Sequence, residues 1–303
     1  MAAVAGFCNV RMFGARGLWQ GVFGDDFYGF RAGPIQAKAG DMLSYQHIYH
    51  AGNLADVQKH ALLAVILSYL TRKDKPVSYI ETHAGRGLYQ LDAPEAVKTG
   101  EAAAGIDRVL EGGLLPPDHP LRTALASCQA AHGDMAYPGS PLIAANLLRS
   151  QDSLHFAELH PGEHDALRQA LPRGRAKVHL QDGFELAQSL APPTPRRGVL
   201  LIDPSYEIKS DYGRIPGIIA NLHRKWNVGI IALWYPILKD GAHGPMLRAL
   251  ENQNLPGALR HEVRFPPVRE GHRMIGSGMF VVNTPYGTEA ECKRLDKLFA
   301  KLS

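Results

Sequence analysis

The sequence has little that would hold a fold together through covalent or metal bonds. Only three of its 303 residues are cysteines, Cys8, Cys128 and Cys292, and their spacing matches neither a disulfide framework nor a zinc site. His47 and His50 have no further ligand nearby, so we expect no metal site. These absences favour a reducing, cytoplasmic location.

Long apolar runs and blocks of like charge are also missing. The longest apolar stretch, Ala61–Leu67, is far too short to span a membrane. A net charge of +4 suits a polyanionic partner, but solubility alone explains it equally well. Because no block of like charge is present, any contact with nucleic acid has to come from a folded surface. We expect the protein to be a monomer.

Residues 1–41 lack glutamate, are rich in glycine and alanine and show no sustained period. No secretory signal is recognisable there, although an organelle transit peptide stays an alternative. We expect a disordered extension over 1–41, with Met42 as the functional start and one domain over 42–303.

From residue 53 onward, strand-like and helix-like runs alternate. The predicted strands are Val77–Ile80, Leu154–Leu159, Lys177–Leu180, Val199–Ile202, Val228–Trp234, Ala258–Phe265 and Met279–Val282. Such alternation predicts a mostly parallel sheet covered on both faces, and the last two strands suggest an antiparallel pair at one edge. This α/β pattern of seven strands resembles the class I, Rossmann-like methyltransferases. Residues 88–137 are expected to form a small, mostly helical insertion.

Polar residues and glycines follow three successive strands, where ligands bind in open α/β sheets. Gly85 follows the first strand, Glu158 the second, and Asp182 with Gly183 the third. A carboxylate at Glu158 can accept both hydroxyls of a ribose. Any one of these residues could instead form a turn or a helix cap. Because such residues recur at three strand ends, the set as a whole favours a site for a nucleotide-like cofactor.

The buried run Val199–Ile202 ends in Asp203-Pro204-Ser205-Tyr206. An adenine amine is a poor nucleophile, and two acceptors for its N–H bonds would favour the geometry needed for methyl transfer. Asp203 can supply one acceptor and the carbonyl of Pro204 the other, while Tyr206 can stack on a base swung out of its stack. The alternative is an Asp-Pro turn that merely closes a strand.

Several short motifs in order resemble one family, the RlmJ family of large-subunit rRNA adenine-N6 methyltransferases. They are Met42-Leu43-Ser44-Tyr45-Gln46-His47, His50-Ala51-Gly52-Asn53, Ala55-Asp56, Lys59-His60, Thr82-His83-Ala84-Gly85, Pro138-Gly139-Ser140-Pro141, Glu158-Leu159-His160-Pro161 and Asp182-Gly183. The resemblance implies S-adenosylmethionine as cofactor. It also implies that the target is one adenine of 23S rRNA, customarily adenine 2030, and that the enzyme acts on this rRNA before the subunit is fully assembled. Ser205 departs from the pattern, since adenine-N6 methyltransferases commonly have a second proline at this position. The departure puts the rate of methyl transfer in doubt more than the type of reaction.

The resemblance also implies roles for individual residues. Contacts to S-adenosylmethionine would come from His60, His83, Ser140, Glu158, Asp182, Gly183 and Asp203. Tyr45 and His47 would lie on the RNA side, and Lys59 would lie close to both the cofactor and the target base. Candidate phosphate contacts on the RNA surface are Arg173, Arg175, Lys177, Arg196, Arg197, Lys209, Arg214, Arg264, Arg269 and Arg273.

Two other functions stay open at this point. Related tetrapeptides serve DNA adenine and protein glutamine methylation. A non-catalytic rRNA-binding or assembly factor on the same fold is a third possibility, although such a protein would have no need to keep Asp203.

Overall fold

The structure is a computed structural model that describes residues 46–267, 271 and 273–302. The segment expected to be disordered, 1–41, and the start expected at Met42 lie outside the described residues.

All seven strands predicted from the sequence are present, and two short ones are added. The strands are β1 (Ser78–Glu81), β2 (Leu88–Gln90), β3 (Ala136–Pro138), β4 (Ser153–Ala157), β5 (Lys177–His179), β6 (Gly198–Ile202), β7 (Ile230–Leu238), β8 (Leu259–Arg264) and β9 (Met274–Val282). Most bounds agree within about two residues, but β7 continues past Trp234 and β9 begins before Met279. These two strands pair with each other along their extra length, from Tyr235 to Leu238, and this pairing is invisible in a local pattern.

The helices cover both faces of the main sheet. They are α1 (Leu54–Thr71), α2 (Pro94–Thr99), α3 (Arg108–Glu111), α4 (Pro120–His132), α5 (Ser140–Leu147), α6 (Pro161–Ala170), α7 (Gly183–Leu190), α8 (Asp211–Lys225), α9 (Gly244–Glu251) and α10 (Thr288–Ala300). None of the helices in the described ranges is both long and apolar enough to cross a membrane.

The main sheet has the order β5-β4-β1-β6-β7-β9-β8. The first five strands are parallel, and β9 runs antiparallel to both of its neighbours. The predicted parallel sheet with an antiparallel edge pair is therefore confirmed. Because β1 and β6 are adjacent in the middle, the loops that follow them meet at one edge of the sheet.

The sheet separates two clusters of buried apolar residues. Val199 and Leu201 of β6 face the cluster under α1, α5 and α10, whereas Leu200 and Ile202 face the cluster under α7, α8 and α9. This alternation is what a strand buried on both faces requires.

Segment 88–137 is helical in part, but its two ends pair as β2 and β3 in a separate antiparallel sheet. The sequence did not indicate these strands, because three residues are too few to show a period. The helices between them contribute Ile106, Val109 and Leu121 to the same core as α1.

Helix α1 begins where the sequence predicts, because the side chain of Asn53 accepts a hydrogen bond from the backbone N–H of Asp56 at 2.9 Å. Its first half is buried all round, including the polar residues Asp56, Lys59 and His60. A single apolar side, as predicted, therefore describes only part of this helix. Its polar residues face a pocket at the carboxyl ends of the strands.

Candidate active site

A cavity of about 700 Å3 lies at the carboxyl ends of the central strands. Its walls come from the residues that follow β1, β4, β5 and β6, together with the start of α1 and the end of β7. Cavities of this size hold small-molecule ligands and cofactors. Most of the site residues predicted from the sequence line this one cavity: His47, Lys59, His60, His83, Ser140, Glu158, Asp182, Gly183, Asp203, Pro204 and Tyr206.

The loop after β1 turns sharply beside the cavity. Gly85 has φ of +62°, and a side chain there would also bring its Cβ to 2.7 Å from the hydroxyl of Tyr89, so both conformation and space call for glycine. His83 lies edge-on to the Phe184 ring, with 5.1 Å between centroids. Burial lowers the pKa of His83 to about 4, and the imidazole is therefore neutral at pH 7.

Glu158 is held by the backbone. One carboxylate oxygen accepts from the N–H of Gly85 and the other from the N–H of His160, both at 2.8 Å. Burial raises the pKa of Glu158, and these two N–H groups oppose the rise. A carboxylate oxygen has more than one lone pair, so each keeps capacity for a hydroxyl donor in the cavity.

Asp182 and Gly183 begin α7. Asp182 caps the helix by accepting from the N–H of Glu185 at 3.0 Å, so the helix-cap interpretation of this residue is confirmed, and it borders the cavity as well. A Cβ on Gly183 would lie 1.7 Å from the carbonyl oxygen of Thr82. Only glycine lets the start of α7 approach the end of β1 this closely.

Two further cofactor candidates, His60 and Ser140, are buried side chains in the wall of the cavity. Nδ1 of His60 is 2.8 Å from the hydroxyl of Tyr137, and its buried Nε2 has no hydrogen-bond partner among the described residues. Burial lowers the pKa of His60 to about 3, so this imidazole is also neutral. Ser140 donates a hydrogen bond to Glu81, whose own pKa is raised to about 8 by burial.

The other end of the cavity is organised by charge. Nζ of Lys59 lies 2.7 Å from Oδ2 of Asp203 and 2.9 Å from Oδ1 of Asp56. Burial by itself would lower the pKa of Lys59, but the two carboxylates raise it well above its usual value. A permanent ammonium group therefore lies against the predicted catalytic carboxylate.

Tyr206 is placed differently from the prediction. Its ring is only 2% exposed, it stacks on Tyr212 with 4.5 Å between centroids, and its hydroxyl donates to the carbonyl of Trp234 at 2.7 Å. The residue also has φ of +58°, an unusual conformation outside glycine. In this conformation the ring is not open to a base, so stacking by Tyr206 stays a prediction that requires the ring to leave Tyr212.

On the predicted RNA side, Tyr45 and Arg269 lie outside the described residues. His47 borders the cavity, with Nε2 at 2.9 Å from Oδ2 of Asp56. Of the other basic candidates, Lys209, Arg214 and Arg273 line the cavity, and the remaining six lie elsewhere.

Three residues of this site were not identified from the sequence. Asp56 and Glu81 are buried carboxyl groups next to predicted site residues, and Trp234 places its ring 5.5 Å from Nζ of Lys59. Glu81 and Trp234 lie at the ends of predicted strands, and this position was the signal in the sequence that could have identified them as site residues. Asp56 stood in one of the motifs that resemble the family, but the resemblance assigned it no role.

The sheet order, the antiparallel edge and a ligand-sized cavity at the ends of β1, β4, β5 and β6 define a class I, Rossmann-like methyltransferase. Comparison with known proteins identifies the family. Residues 74–302 match the family described as Ribosomal RNA large subunit methyltransferase D, RlmJ, and the chain belongs to it.

Characterised relatives agree with this assignment. The chain is 41% identical to Ribosomal RNA large subunit methyltransferase J of Escherichia coli, over 82% of this chain and 90% of the relative. It is 37% identical to the Haemophilus influenzae protein of the same name, over 84% and 92%. A crystal structure of a Legionella pneumophila protein superposes with a TM-score of 0.75 at 36% identity, covering 84% of this chain and 94% of that one.

The protein is therefore a methyltransferase, and its methyl donor is S-adenosylmethionine. The residues present fit this group. The cavity volume is within the range of cofactor sites, and the buried Nε2 of His60 lacks a hydrogen-bond partner within the described part of the chain.

Proposed function

We propose that this enzyme methylates the N6 amine of one adenine in 23S rRNA, of the adenine 2030 type. The observation that carries the proposal is the ion pair between Lys59 and Asp203 at the end of β6, 2.7 Å long. The names of the Escherichia coli and Haemophilus influenzae relatives support ribosomal RNA of the large subunit as the substrate class.

The second carboxylate oxygen of Asp203 is available to the substrate. The Lys59 ammonium engages Oδ2, and Oδ1 has no hydrogen-bond partner among the described residues. A carboxylate oxygen has free lone pairs, so Asp203 can act as a hydrogen-bond acceptor. Oδ1 is thus the acceptor for one N–H of the adenine amine.

Pro204 supplies the second acceptor through its backbone carbonyl. With both N–H bonds engaged, the nitrogen lone pair is drawn out of conjugation with the ring and directed at the incoming methyl group. S-adenosylmethionine would supply that methyl group as an electrophile, its S–CH3 bond breaking as the N–CH3 bond forms, and would leave as S-adenosylhomocysteine. The proton that the amine loses passes to Asp203 or to water beyond it.

The donor would be held by the residues at the strand ends and beneath them. Glu158 would accept hydrogen bonds from the ribose hydroxyls, and Asp182 with Gly183 would border the adenine ring of the donor. His60, His83 and Ser140 line the remainder. The two histidines are neutral at pH 7, so they add no positive charge against the sulfonium of the donor.

The target base would reach the site by leaving its stack. Tyr206 is the predicted stacking residue, and the partly exposed Trp234 offers a second aromatic surface beside Lys59. Tyr45 and His47 are the predicted contacts to the flanking RNA. We further propose that the enzyme acts as a monomer, in the cytoplasm, on 23S rRNA before the subunit is fully assembled.

Transfer of labelled methyl groups tests the proposed acceptor. The full-length enzyme is incubated with labelled S-adenosylmethionine and, in separate reactions, naked 23S rRNA, assembled large subunits, DNA and ribosomal protein. We expect label in naked 23S rRNA, recovered as N6-methyladenosine, and much less in assembled subunits. Label absent from rRNA but present in DNA or protein would replace the proposal with one of the other methyl acceptors, and no transfer at all would favour a binding factor.

A further inference from the structure

Asp56 lies at the centre of the charged end of the cavity, although no role follows for it from the proposed reaction. Its carboxylate is 1% exposed. Oδ2 is 2.9 Å from Nε2 of His47 and accepts from the backbone N–H of Gly52 at 2.9 Å. Oδ1 is 2.9 Å from Nζ of Lys59. One buried group thus connects the predicted RNA side of the site with the catalytic side.

The charge state of this group is well defined. Burial by itself would raise the pKa of Asp56, but His47 and Lys59 hold it well below its usual range. Asp56 is therefore an ionised carboxylate at neutral pH, and its charge is compensated by groups that themselves belong to the site.

The Lys59 ammonium is shared between two carboxylates that come from different elements. Asp56 lies one helical turn before Lys59 on α1, where the spacing places both side chains on one side of the helix. Asp203 follows β6, 144 residues further along the chain. Two contacts of 2.9 and 2.7 Å fix the ammonium at two points, and only one of these two acceptors is the predicted catalytic residue.

The count of charges has a chemical consequence. The single positive charge of Lys59 is shared between the carboxylates of Asp56 and Asp203, so it does not act on Asp203 alone. With Asp56 removed, the ammonium would pair with Asp203 alone, which would weaken Asp203 as an acceptor and allow the pair to shift.

We propose that Asp56 is a positioning residue for methyl transfer, acting through Lys59 on the acceptor carboxylate of Asp203. The inference rests on the proposed function, because it takes Asp203 to be the group that holds the adenine amine. Asp56 itself touches neither the donor nor the base in this account.

The test compares Asp56→Asn with Asp152→Asn in the full-length protein. Asp152 is also buried, at 4% exposure, and accepts from backbone N–H groups of Val77 and Arg149, but it lies at the opposite end of the sheet from the cavity. For Asp56→Asn we expect kcat on 23S rRNA to fall about 100-fold, with the Kd for S-adenosylmethionine changed less than threefold. For Asp152→Asn we expect a lower Tm and a kcat within twofold of the wild type.

A second readout does not depend on RNA. A buried, ion-paired ammonium exchanges its protons slowly, so Lys59 should give a 1H–15N signal that disappears in Lys59→Arg. We expect Asp56→Asn to shift or broaden this signal and Asp152→Asn to leave it unchanged. If the wild type fails to methylate rRNA, the proposed function fails, while the Lys59 signal still tests the link between Asp56 and Lys59.

Asp56→Glu covers the case in which Asp56→Asn does not fold. It keeps the buried charge but displaces it by one methylene group, and we expect kcat to fall about tenfold. A kcat within threefold of the wild type for either variant, an unchanged Lys59 signal, or an equal loss of kcat in Asp152→Asn would overturn the proposal.

Discussion

The two ends of the cavity are built on different principles. At the end bounded by Glu158, Asp182 and Gly183, carboxylates are held by backbone N–H groups, and the neighbouring His83 is neutral. At the end bounded by Asp56, Lys59 and Asp203, side-chain charges hold one another. The first arrangement suits recognition of a fixed, nucleotide-like donor, and the second suits control of an acceptor whose charge changes during the reaction.

This difference predicts which end controls which kinetic parameter. Changes at the backbone-held end should act mainly on donor binding and on stability. Changes at the charged end should act mainly on kcat, because they alter groups that matter most in the transition state.

The largest effect is expected for Asp203→Asn. The variant keeps the shape of the side chain but loses the charge that accepts the amine N–H, so kcat should fall about a thousandfold. Calorimetry should still detect S-adenosylmethionine binding, although weaker. Asp182→Asn makes the same chemical change at the other end, where asparagine also caps a helix, and it should alter donor Kd more than kcat. Equal losses of kcat in the two variants would erase the distinction between the two ends.

Gly183→Ala should cost the most stability. The added Cβ would meet the Thr82 carbonyl at 1.7 Å, and the required shift of backbone should lower the free energy of unfolding by about 3 kcal/mol. Gly217→Ala is the matched control, since Gly217 lies within α8 with nothing within 4 Å of its added Cβ, and alanine there should stabilise by about 0.5 kcal/mol. Urea unfolding of both variants measures the difference. Equal effects would mean that the contact between α7 and β1 is looser than described.

Glu158→Gln should weaken donor binding about tenfold, because a charged acceptor of the ribose hydroxyls becomes neutral and one of its atoms becomes a donor. At saturating S-adenosylmethionine, kcat should change little. Titration calorimetry and a KM measurement distinguish the two parameters. A loss confined to kcat would place Glu158 in the catalytic group instead.

A further prediction concerns pH. The pKa of His60 in the folded protein is about 3, whereas an unfolded histidine titrates near about 6.5. The unfolded state therefore binds more protons as pH falls below about 6.5, and this residue reduces stability progressively over that window. His60→Asn should remove up to about 1.4 kcal/mol per pH unit from the slope of unfolding free energy between pH values of about 6 and 4. An unchanged slope would show that His60 is charged in the folded protein.

The backbone-held end could be predicted from the sequence because its logic is local. Glu158 follows one recognisable strand, Asp182 and Gly183 follow the next, and parallel strands bring such residues to one edge. The charged end could not be predicted in the same way. The contact of Lys59 with Asp203 joins α1 to β6 across 144 residues, and no spacing in the sequence encodes it.

Two other features depended on context that the pattern does not contain. The strands β2 and β3 have three residues each, too few for alternation to be visible. The direction of Tyr206 follows from its positive φ and from the packing of its ring on Tyr212, and the tetrapeptide alone indicates neither.

The most direct test of the central claim is a map of adenine methylation in 23S rRNA from cells that lack this gene, complemented with either the wild type or Asp203→Asn. Mass spectrometry of nuclease fragments locates the methyl group. We predict that one N6-methyladenosine is missing in the deletion strain, restored by the wild type and not restored by Asp203→Asn at equal protein level. An unchanged map in the deletion strain, or restoration by Asp203→Asn, would contradict the account.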